Sequence, residues 1–426
     1  MDHFQYKHGV YHAEDMPLDT LATLVETPFY CYSAATLRHH AQVFMRGIAG
    51  LNHRVPPKIC FAVKANPNPH VLHVLKEQGL GADVVSEGEI RLALAAGIAA
   101  QDIVFSGVGK KRQEMRFALQ CGVFQFNVES AQELHVLHEE AQGLGVLAPI
   151  ALRVNPNVDA VTHEKITTGR KDSKFGIDIE QAPEIYALAQ TMPHIKVQGI
   201  SVHIGSQLTQ LEPFARAFAR VRDFVQEMRA QGVPIDVVDL GGGLGIPYHP
   251  EHAALPEPDG YGAMICDAMQ GLEAHYVFEP GRLIAGNAGV LVASVIYTKE
   301  AHDAQTDVTH RFMIIDAGMN DLMRPAMYGA HHELVPVSEA QHHAAHVSQH
   351  VVGPVCESSD VFLRHHPLPL LQEDDLVVIR SAGAYGASMS STYNARLQIP
   401  EVLVDGTRMT IIRPRETYEE MLDKYQ

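Results

Sequence analysis

The chain has 426 residues, enough for one large α/β barrel with a smaller companion domain or for two to three average domains, so core size does not limit it. Its 33 basic against 50 acidic residues leave a formal charge of −17 with no basic stripe, which argues against DNA or RNA as a partner and for a small metabolite. Cys31, Cys60, Cys121, Cys266 and Cys356 lie far apart without a C-x-x-C pair, so neither a disulfide framework nor a structural zinc site is expected, and the reading is a reducing, cytoplasmic protein.

The opening MDHFQYKHGVYHAED lacks a basic stretch followed by an apolar one, and no run of about 18 apolar residues occurs, so neither secretion nor a membrane is expected. Its FQYKHGVYH and PFYCYS segments read as strands. Short apolar runs bounded by turn signals then follow in order: ICFAV (59–63), ADVVS (82–86), DIVFS (102–106), FQFNV (124–128), IALRV (150–154), GISVHI (199–204), VVDL (237–240) and YVFE (276–279). Helical patterns separate them, such as GEIRLALAAG, ESAQELHVLHEEAQG and the stretch in which Leu211, Phe214, Phe218, Val221, Val225 and Met228 recur before Gly232. Apolar strands alternating with helices predict parallel pairing with both faces covered, and eight such units predict a (β/α)8 TIM barrel over residues 36–285.

Beyond residue 285 the pattern turns β-rich: GVLVASVIYTKE, RFMIIDAG, DLVVIRSAG and EVLVDGTRMTIIRP, the last a hairpin with its turn at Asp405–Gly406. Residues 1–35 and 286–426 are therefore expected to form a second, mainly antiparallel β-domain of sandwich or barrel type. Residues 300–310 and the His-rich 338–350 read as surface loops.

In such barrels chemistry sits at the carboxyl ends of the strands. Here those ends carry Lys64, Ser86, Glu87, Arg153, Asn155, His203, the run Gly241–Gly243, and EPGR with Glu279, Gly281 and Arg282. By itself Lys64 would read as a snorkelling surface lysine. At an apolar barrel mouth, desolvation would lower its pKa and make the amine a nucleophile for a carbonyl. Glycine loops after the seventh and eighth strands, with Ser206, leave backbone N–H groups open to an oxyanion, although a lone glycine run is most often a tight turn. An aldehyde for the lysine, carried on a phosphate, points to pyridoxal 5'-phosphate; Glu279 could face its ring nitrogen and His203 its ring plane.

The ordered motifs AVKAN, HIGSQ, DLGGGLGIPY, EPGR, GPVCES and AGAYG resemble the alanine-racemase-fold (fold type III, group IV) pyridoxal phosphate-dependent decarboxylases, and among them the diaminopimelate decarboxylase family, from about residue 5 to 420. The resemblance implies a lyase of lysine biosynthesis acting on diaminopimelate. It also implies a homodimer whose β-domain completes the partner's active site. Carried over by motif, Lys64 forms the Schiff base, His203 stacks on the ring, and Ser206, Gly243 and Gly281 hold the phosphate with Arg282 nearby. Glu279 meets the ring nitrogen, Arg324 and Tyr328 of MRPAMY with Glu357 bind substrate, Cys356 returns a proton, and Tyr385 touches cofactor and substrate. Where relatives often carry an acidic residue after that tyrosine, this chain has Gly329.

A substrate with a second, distal carboxylate needs guanidinium donors there, which Arg282 and Arg324 could supply, while Glu357 could accept the distal ammonium. Otherwise Arg324 would be a rim ion pair. Three rival readings are a basic amino acid or carboxy-polyamine decarboxylase of the same fold, a non-catalytic cofactor carrier that resembles the barrel alone, and a racemase of the same fold. The β-domain bearing Cys356, Glu357 and Tyr385 argues against a carrier, and CES in place of a second tyrosine base argues against a racemase. His331, His332, His342, His343 and His346 come without paired carboxylates, so no metal site is expected.

Overall fold

The computed structural model describes residues 2–51, 55–158, 174–248, 255–305 and 307–426. The chain divides into two compact units, one from His39–Ile246 and Ala254–Leu283, the other from Met1–Arg38, Pro247–Ala253 and Ile284–Gln426. Among the described residues no helix is long and apolar enough to cross a membrane.

The first unit is a closed parallel barrel of eight strands: β1 (Lys58–Ala62), β2 (Gly81–Val84), β3 (Ile103–Phe105), β4 (Gln125–Val128), β5 (Ala148–Asn155), β6 (Ile195–Val202), β7 (Val237–Asp239) and β8 (His275–Phe278). Closure is set by Val277 and Phe278 of β8 pairing with Lys58 and Ile59 of β1, and every neighbouring pair around the ring is parallel. Each expected apolar run supplies one of these strands.

Capping residues start the intervening helices. Asn68 accepts the His70 N–H before Pro69–Glu77, and Ser86 and Ser130 accept N–H groups of Glu89 and Glu133 at the heads of Glu87–Ala95 and Ala131–Leu144. Helix Glu212–Ala230 buries Phe214, Phe218, Val221, Val225 and Met228, a stripe at helical spacing in which each side chain stabilises by about 1.5–3 kcal/mol.

The second unit is mainly antiparallel. Its strands run Val361–Pro369, His346–Val352, Val308–Ile315, Gly289–Asp303, Phe29–Ser33, Glu401–Asp405, Arg408–Arg413, with Leu376–Ile379 also on Gly289–Asp303 and Leu334–Pro336 on Leu376–Ile379. Two pairings are parallel, Val308–Ile315 with His346–Val352 and Phe29–Ser33 with Glu401–Asp405. The amino-terminal Phe29–Ser33 thus lies between strands from the carboxyl-terminal part, and Phe29, Cys31, Val290, Val292, Val378, Val402 and Val404 share one core.

Three local expectations are corrected. Within 300–310, residues 300–303 and 308–310 are strand rather than loop, because Gly289–Asp303 and Val308–Ile315 pair up to Asp303↔Val308. Polar, water-exposed strands carry no apolar alternation to betray them, and here the Arg311–Glu300 ion pair at 2.7 Å ties them across. The His-rich 338–350 is likewise ordered, as helix Glu339–His342 and strand His346–Val352. The last hairpin closes at Asp405↔Arg408, so Gly406 and Thr407 make its turn. Asp405 is kept in the strand by both Arg38 Nη atoms at 2.8 Å, and the Gly406 N–H donates to Glu14.

Candidate active site

Lys64 follows β1 in the short turn Val63–Ala65. Its ammonium lies 2.5 Å from Oδ2 of Asp83, an interior residue of β2 with no exposed side-chain surface. The sequence predicts an apolar mouth; the barrel instead sets a buried carboxylate against the amine.

Around the ring, more polar groups converge inside the barrel. Asn127 on β4 is oriented by Gln125, whose Nε2 donates to its Oδ1 at 2.8 Å. The Asn127 Nδ2 then reaches Ser106 Oγ at 3.0 Å, Asp239 Oδ2 at 3.1 Å and Glu279 Oε1 at 3.1 Å. Burial, followed by the charges of Asp239 and Asp83, pushes Glu279 well above the usual carboxylate range. Burial also raises Asp239, which accepts the Gly241 N–H at 2.9 Å. Two buried carboxyls in contact cannot both ionise, so Glu279 holds the proton and donates to Asp239.

His203 follows β6 at its carboxyl end, half-buried. Burial, with the charges of Arg153 and Lys64 adding, holds its pKa well below the ordinary imidazole value. The Gly242 N–H donates to Nδ1 at 3.3 Å, so the neutral ring carries its proton on Nε2. Arg282 is buried beside Gly281, and its Nη2 donates to Ser206 Oγ at 3.3 Å.

The glycine run after β7 has a packing reason as well. A Cβ on Gly242 would stand 2.2 Å from the Glu279 carbonyl oxygen, and one on Gly243 would stand 2.4 Å from that of Gly205. Side chains are excluded there by the loops of β6 and β8. Ser86, by contrast, takes the bland reading as a helix cap, and Arg153 pairs with Glu129 at 2.8 Å.

The model for the pyridoxal binding domain of pyridoxal-dependent decarboxylases matches residues 41–286. The diaminopimelate decarboxylases of Zymomonas mobilis and Pseudomonas aeruginosa are 44% and 46% identical to this chain, over 98% and 99% of it and 97% and 98% of their own lengths. The chain belongs to the diaminopimelate decarboxylase family. A solved diaminopimelate decarboxylase from M. jannaschii in co-complex with L-lysine shares the fold with a TM-score of 0.92 at 35% identity, covering 99% of this chain and 97% of that one.

The cofactor of this diaminopimelate decarboxylase family member is pyridoxal phosphate, and the barrel residues fit it. Lys64 offers an amine, the Gly241–Gly243 loop offers backbone without β-carbons, and protonated Glu279 offers a carboxyl at the end of β8.

The remaining family motifs lie in the sheet unit. Arg324 opens helix Arg324–Tyr328 and is buried, which overturns the rim ion pair reading. Its Nη1 meets His332 Nε2 at 2.7 Å, its guanidinium lies 4.5 Å from the Tyr248 ring centroid, and His332 Nδ1 donates to the Arg380 carbonyl at 2.9 Å. Half-buried Tyr328 ends that helix. Gly329 follows in the left-handed conformation, φ +61°, so the departure from the acidic residue sits at a helix stop that suits glycine. Cys356 and Glu357 are exposed, with the Cys356 N–H donating to Asn394 Oδ1 at 2.8 Å. Tyr385 has φ +57°, an uncommon conformation for an aromatic residue.

Asp83, Asn127, Ser106 and Asp239 were absent from the sequence-based site. A polar residue inside an apolar run was the available signal, since a buried polar group is the informative exception.

Proposed function

We propose that this chain decarboxylates meso-2,6-diaminopimelate to L-lysine and carbon dioxide. The observation that carries the reading is the Lys64 amine at the end of β1, held by buried Asp83 within the field of the Glu279–Asp239 carboxyl pair. Near-full-length likeness to relatives bearing that name supports the substrate.

When bound, pyridoxal phosphate supplies an electron sink for the charge left as carbon dioxide departs. Lys64 would hold it through its amine. Ser206, Gly243, Gly281 and Arg282 would receive its phosphate, and Glu279 its ring nitrogen. His203, neutral, presents a flat uncharged face to the ring rather than a cation. Arg324, Tyr328 and Glu357 bind the distal end of the substrate, with Arg282 contributing to charge neutralisation, and Tyr385 is held ready by its constrained turn. Cys356, exposed in its own chain, returns a proton to the α-carbon. Its exposure and that of Glu357 support a homodimer in which this loop serves the partner's barrel. The cytoplasm suits its free thiols.

The test is carbon dioxide release by the purified holoenzyme from meso-diaminopimelate, L-lysine, L-ornithine and L-arginine. Turnover of the first is expected; turnover restricted to ornithine or arginine overturns the reading.

A further inference from the structure

Three histidines converge in the sheet unit, none of them a residue of the motifs used above. His310 lies on Val308–Ile315, His350 on His346–Val352 and His365 on Val361–Pro369, three neighbouring strands. Phe312 pairs with His350, so His310, two residues before it, shares the face on which the His350 ring stacks against Phe312 at 5.0 Å.

His365 reaches the same face through an irregularity. Gln349 pairs with His366 and Val351 with Leu363, so His350 opposes two residues, Arg364 and His365. This is a β-bulge, a device that re-aims a side chain. His365 sits there at φ +48°, and its ring centroid comes within 4.2 Å of His350 and 5.8 Å of His310. One ring nitrogen from each histidine lies within 4.8 Å of the others. Among the described residues none of the six ring nitrogens has a hydrogen-bond partner in the protein.

Convergence without partners is unfavourable for the protein by itself. The three rings crowd one another at a bulge that also carries Arg364. Three imidazole nitrogens aimed at one point suit a compact cation instead. We propose that His310, His350 and His365 form a binding site for one borderline transition-metal ion of the Zn2+ class. Three imidazoles with no oxygen ligand favour Zn2+, Co2+, Ni2+ or Cu2+ over Mg2+ or Ca2+. Zn–N bonds of about 2.0–2.1 Å need nitrogens roughly 3.3–3.4 Å apart, and rotation of exposed His365 and half-exposed His310 onto His350 closes the present spacing. Water completes the tetrahedron. The ion staples three strands that meet at a bulge, and its effect is on stability of this sheet. Sequence spacing drew notice to His331, His332, His342, His343 and His346; the cluster uses none of them.

The test uses chelator-treated, dialysed holoenzyme at about pH 7.5, since metal binding to imidazole is pH-dependent. Zn2+ binding is followed by equilibrium dialysis with elemental analysis, and Co2+ binding by visible absorption. Wild type is expected to bind one Zn2+ per chain more than His365→Asn or His310→Gln, with residual affinity at the site weaker by more than about 10–100-fold. Co2+ should give the intense bands of four-coordination, and Zn2+ should raise the melting temperature of wild type but of neither variant. Asn tolerates the left-handed conformation and His365 is exposed, so the variant keeps the bulge, and the bound-cofactor absorbance reports that both variants are folded. His342→Asn is expected to bind as wild type does. Absence of saturable Zn2+ binding, or binding equal in wild type and both variants, overturns the site.

Discussion

Lys64 and Asp83 form a 2.5 Å ion pair between the end of one barrel strand and the interior of the next. The carboxylate is fully buried and its Oδ1 has no hydrogen-bond partner, whereas the lysine side chain is 38% exposed. The desolvation cost therefore falls on Asp83, whose hydrogen-bond partner is the Lys64 ammonium. Asp83→Asn keeps the volume and removes the charge. Misplacing a reacting group costs up to about 100-fold, so kcat/KM is expected to fall by roughly 10–100-fold while borohydride trapping still finds the adduct on Lys64. An unchanged rate would show that the pair is only structural.

Glu279 gives the protein a pH signature. Its pKa is raised in the folded chain, so the folded state binds more protons than the unfolded one once pH exceeds the unfolded carboxyl value of about 4.3. Stability from this group is fully present below that value and is lost as pH rises through the folded pKa. In apoprotein, Glu279→Gln supplies a neutral donor to Asp239 at every pH, and its urea-unfolding free energy is expected to decline less with rising pH than that of wild type. Parallel profiles would count against the protonated carboxyl.

Gly242→Ala tests the glycine run. The added methyl would sit 2.2 Å from the Glu279 carbonyl oxygen, a backbone atom that cannot move without displacing the end of β8. Overpacking of this kind costs about 1–3 kcal/mol. A lower melting temperature and weakened cofactor retention on dialysis are expected together; a variant that retains both would make the close approach irrelevant.

Arg324→Ala separates a substrate role from a packing role. Truncating one partner of a buried charge contact costs about 2–5 kcal/mol, or roughly 30-fold or more in kcat/KM for diaminopimelate at 1.4 kcal/mol per tenfold. If Arg324 serves only to pack on Tyr248 and His332, the variant loses stability and the ratio of diaminopimelate to ornithine turnover does not move.

What could be read from the chain by itself was local. Eight apolar runs with turn signals and capped helices between them specify the strands of a barrel, and Lys64, His203 and Glu279 were legible because they stand where those runs end. Tertiary structure decided the rest, through contacts between residues far apart in sequence. Asn127 and Asp239 became hydrogen-bonded to each other, with the charge of Asp83 acting on Glu279 beside them, because barrel closure brings β2, β4 and β7 to one interior. The strand pairing up to Asp303↔Val308 followed from cross-strand register, and the Gly406–Thr407 turn from register together with Arg38 and Glu14, none of which hydrophobic periodicity records. His365 joined His310 and His350 only through a bulge. Periodicity reports which face of one element is buried; which polar groups from separate elements share that burial depends on register and closure, and these are properties of the folded chain.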